Sequence, residues 1–338
     1  MRSKKKILIL FCGGTLVMEE DAQGTLQSPP ADKAISNLLR IEPRLKQIAD
    51  LTVSYIDNID STNINPSHWD RMTDVIAENY HSYDGFVVTH GTDTLAYTSS
   101  ALSFTLQKMG KPVILTGAQI PGSRIESDAR RNLTNAVRVA AMDVSGSIVV
   151  FGESIILGCR ATKVSESKID AFDSENRELL GEIRLTVQLS SACPIRHDQP
   201  LKVKKGFDSN IAVCTIVPGM SVKTLGSLIE SGIHGLVLLG YGPGNIPYQY
   251  LEAIQKADEM RIPVVVNSQC REGATIMHLY DVGQKALDLG VIQAFDMSIE
   301  SVATKLMWAL NNADDYQSIK KIMHTNLAGE ISRPVSNT

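Results

Sequence analysis

The chain has 338 residues, of which 43% are hydrophobic and 21% charged, and its formal net charge is −4 at pH 7. This length predicts two domains, and the composition favours packed cores and excludes a mainly disordered chain. Because the net charge is small and no long basic block occurs, the sequence argues against a nucleic acid or an anionic membrane surface as a partner.

The amino-terminal apolar run at 7–11 follows three lysines and superficially resembles a signal peptide. The run is too short for one and ends in Cys12-Gly-Gly-Thr15 rather than in a small-residue cleavage site, so we predict a buried first strand. No run approaches the roughly 20 apolar residues of a membrane helix. The five cysteines are scattered without a Cys-x-x-Cys pair, which favours a reducing, cytoplasmic location.

Strand-like and helical segments alternate through the first half of the chain. After the strand at 7–11, we predict strands at 52–56, 85–88, 113–116 and 148–151, and helices at 32–50, 67–80, 94–109 and 128–142. Strands that alternate with helices favour a mainly parallel sheet with helices on both faces.

A second series follows a stretch with two prolines and little periodicity. Its predicted strands are 211–217, 236–239 and 264–267, and its predicted helices are 222–230, 248–259 and 298–311. The sequence therefore predicts a two-domain α/β protein. A larger N-terminal domain with a mainly parallel, helix-flanked sheet covers 1–189, a linker covers 190–209, and a smaller C-terminal α/β domain covers 210–338.

The most informative segment is Gly85-Phe-Val-Val-Thr-His-Gly-Thr-Asp-Thr-Leu95. A buried strand ends here in a polar turn, and ligands of open α/β sheets bind at the carboxyl ends of strands. Thr92 and Asp93 can also serve only as helix N-caps. The company of His90 and Thr94 favours a reaction site, and a helix start offers amide donors to a carboxylate or oxyanion.

Two further turns carry hydroxyl groups. Gly13 and Gly14 let the chain turn tightly, so that Thr15 presents its hydroxyl at the end of the first strand. The turn is neither a dinucleotide fingerprint nor a phosphate-binding P-loop, and an ordinary strand-to-loop turn is the alternative. The segment Asp60-Ser61-Thr62 follows the second strand and suits a small zwitterion, although an Asx-type turn also explains it.

Lys163 is the conditional member of the set, because a loop lysine is usually only solvated. If its amine reaches Thr92 with Asp93 beside it, the three form a group that can activate a hydroxyl. Burial would favour the neutral amine that accepts a proton, whereas a neighbouring aspartate favours the ammonium. The sequence leaves these opposing effects open.

Together these residues resemble the bacterial L-asparaginase family, most closely its cytoplasmic type I branch. The 85–95 segment is the highly specific part, and the resemblance spans nearly the whole chain. Its supporting motifs are Asp60-Ser61, Leu115-Thr-Gly-Ala-Gln-Ile-Pro121, Ala161-Thr-Lys163 with Asp170-Ala-Phe172, Tyr241-Gly-Pro-Gly-Asn245, Gln269-Cys270 and Thr304-Lys-Leu306.

The resemblance implies hydrolysis of L-asparagine to L-aspartate and ammonia, with L-glutamine a weaker substrate and without metal or cofactor. By analogy Thr15 is the nucleophile that forms an acyl-enzyme, and Thr92, Asp93 and Lys163 are the second catalytic group. Asp60, Ser61 and Thr62, with Thr92 and Asp93, match the substrate-binding set. Family members act as dimers or tetramers, so we expect a homodimer or homotetramer.

The chain departs from the family pattern at two places. The turn before the nucleophile reads Cys12-Gly-Gly-Thr15 where the family has threonine first. The family's loop tyrosine, which polarises the nucleophile, is matched here by Thr25, whose hydroxyl lacks the reach and acidity of a phenol. This predicts weakened catalysis or another partner for Thr15, and the acidic loop residues Glu19, Glu20 and Asp21 are candidates.

The missing tyrosine also motivates a second hypothesis, an asparagine-binding sensor that has weak or lost turnover. A third is the amidotransferase subunit that releases ammonia for tRNA charging. That subunit normally has an extra amino-terminal domain, whereas the first strand here is predicted at about residue 7. We therefore expect an asparaginase first and a sensor second.

Overall fold

The computed structural model describes residues 4–332. The chain divides into two compact units. Unit 1 comprises residues 1–174 and 178–204, and unit 2 comprises 175–177 and 205–338. The outermost residues of the two predicted domains, 1–3 and 333–338, lie outside the described residues, and the predicted linker over 190–209 stays a prediction.

Unit 1 combines a large sheet with helices and short hairpins. Its strands are β1 (Lys6–Gly13), β2 (Glu19–Glu20), β3 (Leu26–Gln27), β4 (Asp50–Ile59), β5 (Gly85–Thr89), β6 (Leu106–Gln107), β7 (Pro112–Thr116), β8 (Gly146–Phe151), β9 (Ser154–Leu157), β10 (Ala161–Lys163), β11 (Phe172–Ser174), β12 (Gly181–Ile183), β13 (Val187–Leu189) and β14 (Lys202–Val203). Its helices are α1 (Ala31–Ile41), α2 (Pro66–Asn79), α3 (Leu95–Thr105) and α4 (Ala129–Ala140).

The large sheet has the strand order β13-β12-β9-β8-β7-β5-β1-β4. The five strands from β8 to β4 are parallel, and β9, β12 and β13 add an antiparallel edge. Alternate residues of β1 are buried on opposite faces, as a strand between two helical layers requires. Leu8 packs in a core with Met72 of α2 and Leu102 of α3, whereas Ile9 meets Leu38 of α1.

Unit 2 is a smaller parallel α/β layer. Its sheet has the order β15 (Ile211–Thr215), β16 (Gly235–Gly240), β17 (Val264–Ser268) and β18 (Ile292–Gln293), and all three pairings are parallel. The helices of unit 2 are α5 (Val222–Glu230), α6 (Leu251–Glu259), α7 (Asp281–Asp288), α8 (Ile299–Asn312) and α9 (Tyr316–His324). The predicted fold class, a two-domain α/β protein with a larger N-terminal, mainly parallel sheet, is confirmed.

The predicted helix over 32–50 is wrong in its second half. The helix ends at Ile41, a 3₁₀ helix follows at Pro43–Gln47, and the next strand starts at Asp50. Proline lacks a backbone N–H and disfavours helical geometry in the residue before it, and Glu42 is accordingly extended, with φ −148°. By contrast, α2 starts as predicted, with Pro66 in the first turn and the Asn65 side chain accepting from the Ser67 amide.

The short antiparallel strands between 154 and 189 were not predicted. Strands of three or four residues are too short to show a period, and this stretch supplies Lys163. Across residues 4–332, none of the helices has the length and apolar character needed to cross a membrane. The five cysteines, all inside that range, form no disulfide.

Candidate active site

Three neighbouring parallel strands deliver the predicted residues to one edge of the sheet. Strand β1 lies between β4 and β5, and each of the three runs into a polar turn. Thr15 follows β1, the segment Asp60–Thr62 follows β4, and the 3₁₀ turn Thr92–Thr94 follows β5. Because parallel strands end at the same edge, turns that are far apart in sequence become neighbours, as is typical of ligand sites in such sheets.

Glycine makes the contact between the first and third turns possible. Gly14 has φ +94°, and a Cβ built there would lie 2.6 Å from the carbonyl carbon of His90 and 2.7 Å from the nitrogen of Gly91. Neither the backbone angle nor the space admits a side chain. The turn that carries Thr15 is therefore pressed against the backbone that leads directly into Thr92.

The second turn is joined to the third in the same way. A Cβ at Gly91 would lie 2.6 Å from the Ser61 hydroxyl oxygen. The Thr94 hydroxyl donates to the Ser61 carbonyl at 2.7 Å. Ser61 is buried, whereas Asp60 and Thr62 beside it are exposed. All three turns consequently form one continuous surface.

Lys163 reaches this surface from the hairpin of β10 and β11, in which it pairs with Phe172. Its ammonium nitrogen donates to the Thr92 hydroxyl at 2.8 Å and to the Asp93 carboxylate at 2.6 Å. Thr92 is 7% exposed, and the Lys163 side chain is 17% exposed. The lysine is therefore not simply solvated, and the predicted group of hydroxyl, amine and carboxylate is assembled.

The Asp60 side chain forms the turn that the sequence offered as an alternative. One carboxylate oxygen accepts from both the amide and the hydroxyl of Thr62, each at 2.9 Å. This is an Asx-type cap on the 3₁₀ turn Ser61–Asn63. Because Asp60 is also exposed at the surface built by the three turns, the cap leaves its charge available to a ligand.

Thr15 begins a 3₁₀ turn whose next two residues, Leu16 and Val17, are buried and anchor it. Among the described residues, the Thr15 hydroxyl shares no hydrogen bond with Thr92 or Lys163. The structure thus brings the two turns into backbone contact, while the two threonine hydroxyls remain separate groups. Such a pair is suited to act on two sides of one small molecule.

The loop after Thr15 folds as a hairpin of β2 and β3. Its acidic residues were candidates to replace the missing tyrosine, but each has another partner. Glu19 accepts from Lys33 at 2.5 Å and from Asn37 at 2.9 Å, and these bonds lower the pKa of its carboxyl group. Glu20 pairs with Arg124, and Asp21 caps the hairpin turn by accepting from the Gln23 and Thr25 amides. Thr25 itself is exposed.

A supporting network holds the loop that follows Lys163, and sequence reasoning missed it. The buried Asp128 carboxylate accepts from the Gln119 and Ile120 amides, each bond having a contact of 3.0 Å. The Gln119 side-chain amide then donates to the carbonyls of Glu166 and Lys168 at 3.0 and 3.1 Å. The only sequence signal was that Gln119 lies within one of the motifs of the resemblance.

The match to known families covers both units. The family model described as "Asparaginase, N-terminal" matches residues 6–193, and that described as "Glutaminase/Asparaginase C-terminal domain" matches residues 210–323. The chain therefore belongs to the asparaginase family.

Relatives within this family carry two kinds of name. The chain is 38% identical to an L-asparaginase of Thermococcus kodakarensis, over 97% of this chain and 99% of the relative. It is 35% identical to a glutamyl-tRNA(Gln) amidotransferase polypeptide of Pyrococcus abyssi, over 97% of this chain and 77% of that relative. Among solved structures, L-asparaginase I of Vibrio cholerae matches with a TM-score of 0.89 and 32% identity, over 98% of this chain and all of that one.

Proposed function

We propose that this protein hydrolyses the side-chain amide of L-asparagine to L-aspartate and ammonia through an acyl-enzyme on Thr15. The observation that carries the proposal is the contact of Lys163 with both Thr92 and Asp93, beside a glycine turn that holds Thr15. The names of the T. kodakarensis and V. cholerae relatives support this substrate.

The two chemical steps divide between the two threonines. In the first, the Thr15 oxygen bonds to the amide carbon, its proton passes to the leaving nitrogen, and ammonia departs. In the second, water attacks the resulting ester, so that aspartate leaves and the Thr15 hydroxyl is restored. Lys163, when neutral, accepts the proton that reaches it through Thr92, and Asp93 stabilises the ammonium that forms. Backbone amides at the glycine turn and at the start of the Thr92–Thr94 turn donate to the developing oxyanion.

The segment after β4 suits the charged ends of an amino acid. The exposed Asp60 carboxylate would receive the α-ammonium group, and the hydroxyls of Ser61 and Thr62 would receive the α-carboxylate. Thr92 and Asp93 complete this substrate-binding set at the opposite turn. L-glutamine is one methylene longer and would place its amide differently between the two threonines, so we expect it to be the weaker substrate.

The runner-up is an asparagine-binding sensor with weak or lost turnover. The observation that favours it is the exposed Thr25 at the place of the family tyrosine, with the neighbouring acidic side chains engaged elsewhere. The amidotransferase function named for the Pyrococcus relative is third, because the chain spans 77% of that relative's length.

Ammonia release from L-asparagine, measured beside calorimetry of L-asparagine binding, separates enzyme from sensor. We expect turnover by the unaltered protein, a large loss in Thr92→Ala and substantial recovery in Thr92→Ser, which keeps the hydroxyl. Binding without ammonia release would support the sensor. Unchanged turnover in Thr92→Ala would defeat the mechanism.

The remaining parts of the proposal concern setting and assembly. The five cysteines, which form no disulfide, support a cytoplasmic location. We propose a homodimer or homotetramer from the family resemblance, to be checked by light scattering. The family models, which end at residue 193 and resume at 210, support the domain division at 190–209.

A further inference from the structure

A buried chain of hydrogen bonds runs behind the site. The Trp69 indole donates to the Thr98 hydroxyl at 3.0 Å, and the Thr98 hydroxyl lies 2.9 Å from Nε2 of His90. Nδ1 of His90 lies 2.7 Å from the Gly91 carbonyl. Trp69 is 5% exposed, Thr98 0% and His90 1%.

The chemistry of its two ends fixes the direction of this chain. An indole N–H can only donate, and a carbonyl oxygen can only accept. Thr98 therefore donates its hydroxyl proton to Nε2, and Nδ1–H donates to Gly91. This assignment makes His90 a neutral imidazole with its proton on Nδ1, and burial agrees with it by lowering the pKa of His90 to about 4. With both ring nitrogens engaged and no access to solvent, His90 has no route to a proton of the substrate.

The backbone of His90 is held as closely as its ring. The His90 amide donates to the Thr116 carbonyl at 2.9 Å. Gly14 presses on the His90 carbonyl carbon from one side, and a Cβ at Gly117 would lie 2.4 Å from the His90 oxygen on the other. The peptide between His90 and Gly91 is thus fixed between the turns after β1 and β7. The ring adds the bond to the next carbonyl, that of Gly91, which leads into Thr92.

We propose that His90 is a positioning residue, whose neutral ring holds the Gly91 peptide so that the Thr92 hydroxyl meets Lys163 and the Thr15 turn keeps its support. Its kinetic consequence rests on the proposed function, because the groups it positions are those of the amide hydrolysis. The chain from Trp69 to Gly91 acts only through backbone, and His90 itself touches no reacting group.

Two substitutions separate the two ring contacts. His90→Asn places an amide N–H near the site of Nδ1 and keeps the donor to Gly91. His90→Gln reaches toward the site of Nε2, keeps an acceptor for Thr98 and loses that donor. If the bond to Gly91 positions the site, kcat should stay within about threefold in His90→Asn and fall by about tenfold to a hundredfold in His90→Gln, with KM little changed in both. A merely structural role would make kcat follow the unfolding temperature in both variants.

Crystal structures of the same two variants give a readout that is independent of turnover. We expect Thr92 to keep its contact with Lys163 in His90→Asn and to move away in His90→Gln. Equal kcat in the two variants, or an unmoved Thr92 in His90→Gln, would overturn the proposal. If the unaltered protein releases no ammonia, the proposed function fails, and the structures alone then decide the positioning.

A milder pair of variants covers the case in which either histidine variant does not fold. Thr98→Val removes the hydroxyl that fixes the tautomer of His90, and Thr98→Ser retains it. We expect lower kcat at unchanged KM in Thr98→Val and recovery in Thr98→Ser. Equal kcat in the two, with an unmoved Thr92 in the Thr98→Val structure, would overturn the proposal.

Discussion

Substituting Gly14 by alanine tests whether the first and third turns must touch. Gly14 has φ +94° and ψ 166°, a region that essentially only glycine occupies, so the backbone strain alone costs about 1–3 kcal/mol. The new Cβ would also lie 2.6 Å from the His90 carbonyl carbon, whereas ordinary contacts begin at 3.4 Å. The turn must therefore retreat by about 0.8 Å (3.4 less 2.6), and a misplacement of this size can lower kcat by about a hundredfold.

Gly146→Ala is the matched control. Gly146 has φ +97°, a Cβ there would meet nothing within 4 Å, and the residue begins β8 at the sheet edge opposite the site. Both variants should lose stability in urea unfolding, but only Gly14→Ala should lose ammonia release. If Gly14→Ala keeps kcat within twofold of Gly146→Ala, the contact between the turns is not needed for activity.

Two other predictions concern stability. Lys305 and Glu330 form an ion pair at 2.7 Å with both side chains 0% exposed, so Lys305→Met should cost about 3–5 kcal/mol, followed by Trp308 fluorescence in a Trp69→Phe background. Adding Glu330→Gln should restore part of this loss, and a double variant that simply sums the two losses would contradict the pairing. Protonation of His90 costs native stability, because its pKa is about 4 when folded and 6.5 when unfolded. The contribution is complete above pH 6.5 and is lost as pH falls toward 4, by about 3 kcal/mol in total. His90→Gln should therefore show a shallower pH dependence of unfolding than the unaltered protein, whereas an identical slope would mean that His90 titrates normally. His68 is a titratable neighbour whose charge also opposes the protonation of His90.

The sequence predicted the sheet and the three turns because each has a strong local signal. Buried strands such as Gly85–Thr89 are continuous apolar runs, and the polar residues that end them stand out. The order β4-β1-β5 then makes neighbours of Thr15, Ser61 and Thr92, which the sequence alone could only suggest through resemblance.

Other features depend on long-range contacts that leave no local pattern. The hairpin that carries Lys163 is built from three-residue strands, and the contact with Thr92 joins residues 71 positions apart. Residues 175–177 belong to unit 2 although both flanking segments belong to unit 1. The ring contacts of His90 likewise depend on Thr98, which lies in the helix that follows, and on Trp69 from another helix.

The most direct test of the account is the rate of ammonia release from L-asparagine by Thr15→Val, Thr92→Val and the double variant. Two hydroxyls that act as a unit on one bound amino acid give strongly non-additive losses. We predict a large loss in each single variant and a double variant no slower than the slower of the two. Losses that multiply, or a single variant with unchanged rate, would contradict the claim that these two turns form one active site.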